Sequence, residues 1–201
     1  MPTAIATTTL DPALGWLLGL GSGLLFAASA HHKLRDLPRF TATLRAYALL
    51  PNALVPPVAL GLVGLEVGLA LSLPLGPVLP GLARVTGLAA AGLLVVYAVA
   101  IAVNLLRGRR GIDCGCLGAA ARSTPLSGGL VLRNLALACL LATTAMPRDT
   151  RSLELVDALT IGGGLVALTL VYLAIDQLVA LPARRVDRLP SALARPEVAR
   201  P

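Results

Sequence analysis

Polar residues gather in short stretches of this chain and leave long intervals almost without them. Apolar side chains fill residues 10–30, 53–73, 83–106, 126–146 and 155–181 on all sides of a helical period. A stripe recurring every 3.6 residues marks a helix lying on a soluble core, whereas a run that is apolar all round for roughly 20 residues marks a membrane span. At about 1.5 Å of rise per residue, each run crosses a hydrocarbon core of ~30 Å. Strands would alternate polar and apolar positions, which these runs do not. Lipid offers no partners to backbone amides, so helices follow. The expected fold is an all-α membrane protein with five transmembrane helices. It divides into a short segment at 1–11, a four-helix bundle over 12–146, a fifth helix within 147–181 and a basic, disordered tail at 182–201.

Composition supports lipid as the solvent. Of 201 residues, 56% are hydrophobic and only 13% charged, about half the fraction usual in soluble domains. The triplet Ala28-Ser29-Ala30 resembles a signal-peptide cleavage site, but residues 1–11 hold no lysine or arginine. The basic cluster follows the apolar run instead, in His31-His32-Lys33-Leu34-Arg35, which is the layout of a retained helix. The net charge of +7 is unevenly placed. Lys33, Arg35, Arg39 and Arg45 fall in the first connection (31–50), and none in the second (74–82). The third holds Arg107, Arg109, Arg110 and Arg122, the fourth Arg148 and Arg151, and the tail Arg184, Arg185, Arg188, Arg195 and Arg200. Basic residues follow cytoplasmic loops, so in a bacterial inner membrane the N-terminus is expected outside and the third connection and tail inside. The tail reads as an end attracted to lipid headgroups, not a nucleic-acid arm.

Within the spans, Gly15, Gly19 and Gly23 recur every four residues, continued by Ala27, and Gly64 and Gly68 repeat the spacing. Small residues in such rows let helices approach closely in lipid. Pro56-Pro57, near the start of the second span, is expected to kink it or set its entry angle. Gly162-Gly163-Gly164 lies inside a span and lacks the context of a nucleotide loop. Glu66 stands in the middle of the second span, where an ionisable group is costly and needs the bundle interior and a partner. Arg133 and Asn134 lie about two turns into the fourth. Arg133 has two alternatives, an ion pair with Glu66 or snorkelling to the headgroups. His31 and His32 have no third ligand nearby and read as interfacial groups. Asn104, Asp157 and Asp176 sit near span ends, where headgroup exposure explains them. No cofactor or metal is expected.

The remaining chemistry is in GIDCGCLG at 111–118, where Cys114 and Cys116 flank one glycine. A disulfide this short constrains the unfolded chain little, so it is no staple. Its small ring is strained, and strained disulfides tend to be the labile, exchanging kind. Gly115 permits the tight backbone, nearby arginines favour thiolate and Asp113 opposes it. The loop holds too few ligands for a metal cage, which makes a thiolate-dependent metal or solute carrier the weaker chemistry. A non-catalytic scaffold that recruits a redox partner through the same loop is the other alternative. Cys139, mid-span in apolar company, reads as an inert packing residue.

Asp113-Cys114-Gly115-Cys116-Leu117-Gly118 followed by Leu130-Val131-Leu132-Arg133-Asn134 resembles the methylamine utilisation MauE family, as do His32-Lys33-Leu34, Tyr47-Ala48-Leu49-Leu50-Pro51 and Glu66. The likeness spans residues 12–145; Leu117 stands where the family usually has phenylalanine. It implies a four-helix core shared with DoxX-like membrane proteins, to which the fifth helix is an addition. It also implies assistance in maturing a disulfide-rich client, such as a methylamine dehydrogenase small subunit, alongside a thioredoxin-like companion. The thiols would do this by thiol–disulfide exchange, with Lys33, Glu66, Asp113, Arg133 and Asn134 as supporting polar residues.

Overall fold

The computed structural model describes residues 9–109, 126–147, 149 and 151–186, with backbone only at 80, 176 and 178–186. Six α-helices follow in order: α1 Pro12–Arg35, α2 Leu37–Tyr47, α3 Val55–Ser72, α4 Pro80–Leu106, α5 Gly128–Ala142 and α6 Leu155–Val186. All but α2 are long and apolar enough, with their 3-10 extensions, to cross a membrane. This is the five-span, all-α fold expected from the hydropathy pattern.

Local sequence explains where these helices start. Asp11 caps α1 by accepting the Ala13 amide at 2.8 Å, and Pro12 occupies the first turn, where its missing N–H costs nothing. Pro56 and Pro57 sit in the equivalent turn of α3, so they begin the helix without kinking it. The 3-10 turns Asn52–Leu54 and Leu73–Leu75 lengthen α3 at both ends.

The first connection differs from its reading as a loop over 31–50. Here α1 continues through Arg35, and after Asp36 the chain turns directly into α2. The Asp36 carboxylate accepts the Arg39 amide at 3.0 Å and caps the new helix. Phe40, Thr43 and Tyr47, at helical spacing, are buried while Arg39 and Arg45 are exposed. That amphipathic pattern suits a short helix lying at an interface. It ends at Ala48, whose positive φ of 48° lets its amide reach the Arg45 carbonyl.

Packing is tightest between α1 and α3 and between α4 and α5, with α2 laid against α3. A central core joins Phe26, Leu69, Leu73, Ala90, Leu94 and Leu141. Of the glycine rows, only the one on α1 packs as expected. A Cβ on Gly23 would lie 2.7 Å from the Pro74 ring, and one on Gly19 would lie 2.8 Å from the Leu73 carbonyl. Gly64 and Gly68 face open space. The close approach that spacing did not reveal is at Gly87, where a Cβ would stand 1.8 Å from Thr144 Oγ1. α6 packs on α1 through Gly164 against Leu17, and none of its described residues is buried. It lies beside the four-helix core instead of inside it.

Contacts at the two ends of the bundle fix the alternation of the spans. At one end, the Leu10 amide donates to the Pro147 carbonyl at 2.7 Å and the Asp149 amide donates to the Leu10 carbonyl at 3.0 Å. Arg151 joins the same end by donating to both Asp11 and Asp157. At the other end, the Arg107 guanidinium donates to the Ala48 carbonyl at 3.3 Å. The start of α1 and the α5–α6 connection therefore share one end, and α2 and the end of α4 share the opposite one.

Candidate functional site

The last two turns of α1 carry the main polar feature of the bundle. Ser29 and Lys33 are four residues apart and so share a helix face, which α1 turns inward. Across from them, α3 presents Glu66 and α4 presents Tyr97. Glu66 is wholly buried and Lys33 nearly so, and the two form an ion pair. Glu66 Oε1 also accepts the Ser29 hydroxyl at 3.0 Å and the Tyr97 hydroxyl at 2.8 Å. Lys33 Nζ donates in addition to Ser29 Oγ at 3.1 Å and to Tyr97 Oη at 3.2 Å. The rings of Phe40 and Tyr97 lie 5.1 and 4.8 Å from the ammonium, at cation–π distance. Burying two charges costs several kcal/mol per ion, and only this density of compensating contacts makes the arrangement tolerable.

Glu66 therefore has a partner, as a mid-span carboxylate requires, but its direct cation is Lys33, from the basic cluster that ends α1, and not Arg133. Arg133 shares with Glu66 a cavity of about 20 Å³ lined also by Ser29, Tyr97, Asn134 and Tyr172, large enough for one water molecule. Its guanidinium stacks 5.3 Å from the Tyr172 ring, a contact between α5 and the outlying α6. It is nearly buried, so it does not extend into the headgroups. Asn134, also buried, turns its amide back to the Leu130 carbonyl at 2.9 Å. Glu66 Oε2 is buried without a hydrogen-bond partner among the described residues and belongs to a group that borders this cavity.

Other polar residues fall differently from expectation. Asn104 is fully buried instead of facing headgroups, and its amide donates to the Ala100 carbonyl at 3.1 Å. Asp157 is held by Arg151. The Asp176 side chain lies outside the described residues. Cys139 is exposed on the outer surface of α5, so it does not pack the bundle. His31 is exposed and His32 half-buried, and no group of three or more metal-ligating side chains occurs among the described residues. Outside the membrane, the Arg151 guanidinium holds the Asp11 carboxyl below its ordinary pKa and is itself raised, first by its hydrogen bonds to Asp157 and then by those to Asp11.

Asp113, Cys114 and Cys116 lie outside the described residues. Their described flanks are well placed. Just after α4, Gly108 is in a left-handed conformation with φ 73°, and the Arg109 amide donates to the Asn104 carbonyl at 3.0 Å. On the far side, Leu126 is buried with Tyr47, Ile101 and Leu130. Both flanks thus sit at the α2 end of the bundle, the end to which Lys33 belongs.

The Lys33–Glu66 pair had a signal in the sequence. The packed row of α1 runs Gly15, Gly19, Gly23, Phe26, Ala30, and continuing that spacing of three and four lands on Lys33. The basic cluster around it masked the register.

Comparison with known proteins fits this architecture. The family model described as "Methylamine utilisation protein MauE" matches residues 11–147, the four-helix core without α6. A MauE protein of Methylophilus methylotrophus is 37% identical over 176 residues, covering 87% of this chain and 90% of its own length. One from Paracoccus denitrificans is 40% identical over 136 residues, 68% of this chain and 70% of the relative. One from Methylorubrum extorquens is 43% identical over 115 residues, 57% and 59% respectively. No solved structure matches. With a matching family model over most of the core and a relative aligned along nearly the whole chain, this multi-pass membrane protein belongs to the MauE family.

Proposed function

We propose that the chain serves methylamine utilisation as a membrane-embedded thiol–disulfide exchange factor, cycling Cys114 and Cys116 to assist maturation of a disulfide-rich client. The supporting observation is their placement: two thiols one glycine apart, between α4 and α5, with both described flanks fixed at the α2 end of the bundle. A thiolate at one cysteine attacks the mixed disulfide at the other, closing the strained Cys114–Cys116 ring and releasing the partner's thiolate, and the strain keeps the resulting disulfide exchangeable. A thioredoxin-like protein is the natural companion for such exchange. The charge pattern supports the cytoplasmic face of a bacterial inner membrane for this end of the bundle. The buried Lys33–Glu66 cluster holds α1, α3 and α4 together beneath it.

The test uses Cys116→Ser in the full chain. It should leave Cys114 in a mixed disulfide that survives non-reducing electrophoresis and contains a thioredoxin-fold protein. A membrane-impermeant maleimide applied to intact cells should leave both reduced thiols unlabelled. If Cys114→Ser with Cys116→Ser matures the client as well as the unchanged chain, exchange is not the function and the loop is a docking scaffold. Labelling in intact cells equal to that in lysed cells would reverse the assigned face.

A further inference from the structure

The polar cluster leaves one of its own needs unmet. Ser29, Lys33 and Tyr97 all meet the Glu66 carboxylate at the same oxygen, Oε1. The other oxygen, Oε2, is equally buried and has no hydrogen-bond partner among the described residues. Leaving a buried charged acceptor unsatisfied is costly, and folded proteins almost always supply a donor, from the chain or from ordered water. The space for such a donor is adjacent. Glu66 borders the cavity of about 20 Å³, which Arg133 and Asn134 border from α5 and Tyr172 from α6.

We propose that this cavity is a binding site for one ordered water molecule, which donates to Glu66 Oε2 and accepts from the Arg133 guanidinium. The two side chains then pair through the water instead of directly. Size allows one such molecule, since a water needs roughly 10–15 Å³ of this kind of space. Chemistry selects it over other small guests. A carboxylate only accepts hydrogen bonds and a guanidinium only donates them. An anion in the cavity would face Glu66, a cation would face Arg133, and an apolar guest would satisfy neither. Water both donates and accepts, and carries no charge. Asn134 and Ser29 also border the space, which gives the water the two to four polar neighbours that a buried site requires. The consequence is structural coupling. Arg133 lies on α5, the helix that follows the Cys-Gly-Cys segment, and its guanidinium is 5.3 Å from the Tyr172 ring of α6. One water thus links the buried pair of α1 and α3 to both of the later helices.

The test is X-ray radiolytic footprinting of the full-length protein in lipid nanodiscs. Hydroxyl radicals formed from a bound water oxidise the side chains beside it, and mass spectrometry locates the added oxygen. The chain has two phenylalanines, which serve as a matched pair. Phe26 borders this cavity and is 2% exposed, whereas Phe40 lines a larger apolar cavity between α2, α3 and α4 and is 8% exposed. Burial alone makes Phe26 the slower of the two to react, and a water beside it makes it the faster. Phe26 should therefore be oxidised faster than Phe40. Leu137→Phe, which fills the cavity from its apolar side, should remove that excess while the unfolding temperature shows that the fold survives. If that variant does not fold, Lys33→Met with Glu66→Leu, which removes the carboxylate without stranding its ammonium, should remove the excess instead. The order of the two phenylalanines in the unchanged chain decides even without either variant. Phe26 reacting no faster than Phe40, or a folded variant that keeps the excess, would overturn the proposal. So would an excess that disappears when gluconate replaces chloride in the buffer, which would make the occupant an anion.

Discussion

Removing the Lys33 ammonium is the most informative perturbation of the bundle. In Lys33→Met the side chain keeps its length and apolar stem, while Glu66 keeps two neutral donors, Ser29 and Tyr97, at 3.0 and 2.8 Å. Removing one member of a buried pair typically costs about 3–5 kcal/mol, because the remaining charge is stranded. The two surviving hydrogen bonds place the expected loss toward the lower end of that range. Glu66→Gln strands the ammonium instead, which retains the faces of Phe40 and Tyr97. The double change Lys33→Met with Glu66→Gln leaves neither member of the pair charged and should be milder than the sum of the two. A coupling of about 2–3 kcal/mol is expected from this cycle, within the range for directly contacting residues. Crossing Glu66→Gln with Arg133→Leu should give less than about 1 kcal/mol, since those groups meet only across a water-sized cavity. Reversible unfolding of the purified variants in mixed micelles measures both cycles. Additive losses for Lys33 and Glu66, or a larger coupling for Arg133 than for Lys33, would refute the assignment of the pair.

Gly87→Ala should destabilise by about 1–3 kcal/mol, since its new carbon meets Thr144 on two atoms, whereas Gly64→Ala, facing open space, should be neutral or slightly stabilising; thermal unfolding in detergent separates them. Acid should loosen the end where α1 begins. The Asp11 carboxyl has a lowered folded pKa, so its contribution is present above the unfolded value of 3.8 and is lost as pH falls through the folded one. Hydrogen exchange at Leu10 and Asp149 should therefore rise at low pH, and Asp11→Asn should show the faster exchange already at neutral pH. Cys139→Ser, on the outer surface of α5, should leave unfolding and thiol exchange unchanged, as measured by the same assays.

The five spans were legible because lipid imposes one simple demand, an apolar surface over a fixed length, and each run satisfies it without reference to its neighbours. What escaped depends on neighbours. Lys33 looked like a headgroup residue because charge in a window marks a loop, but three acceptors from three helices keep it inside. Asn104 reads as a headgroup residue because it lies near a span end, but the Ala100 carbonyl one turn back lets it stay buried. The α2 helix hid inside a connection because its apolar face is only three residues, Phe40, Thr43 and Tyr47. Glycine spacing showed that α1 packs closely but not against what, and it misdirected attention to Gly64 and Gly68 while Gly87 has the tighter contact. The need of Glu66 for a cation was readable from depth alone; which cation was a matter of three-dimensional register.

The stitching of Leu10 to Pro147 and Asp149 means that the four-helix core begins and ends at one point in space. Topologically it is a closed loop with a seam, and the chain could be cut and rejoined there with little strain, as in a circular permutant. Whatever follows the seam is free to be long, short or absent without displacing a core helix. In this chain a further span follows, and its consequence is one of parity. Four crossings would return the C-terminus to the side where the chain began. The fifth carries it across again, delivering the backbone at Arg184 and Arg185 to the end of the bundle from which the Cys-Gly-Cys segment leaves α4. The extra helix thus decides which side of the membrane receives the arginine-rich terminus, and it does so without entering the core that holds the buried pair.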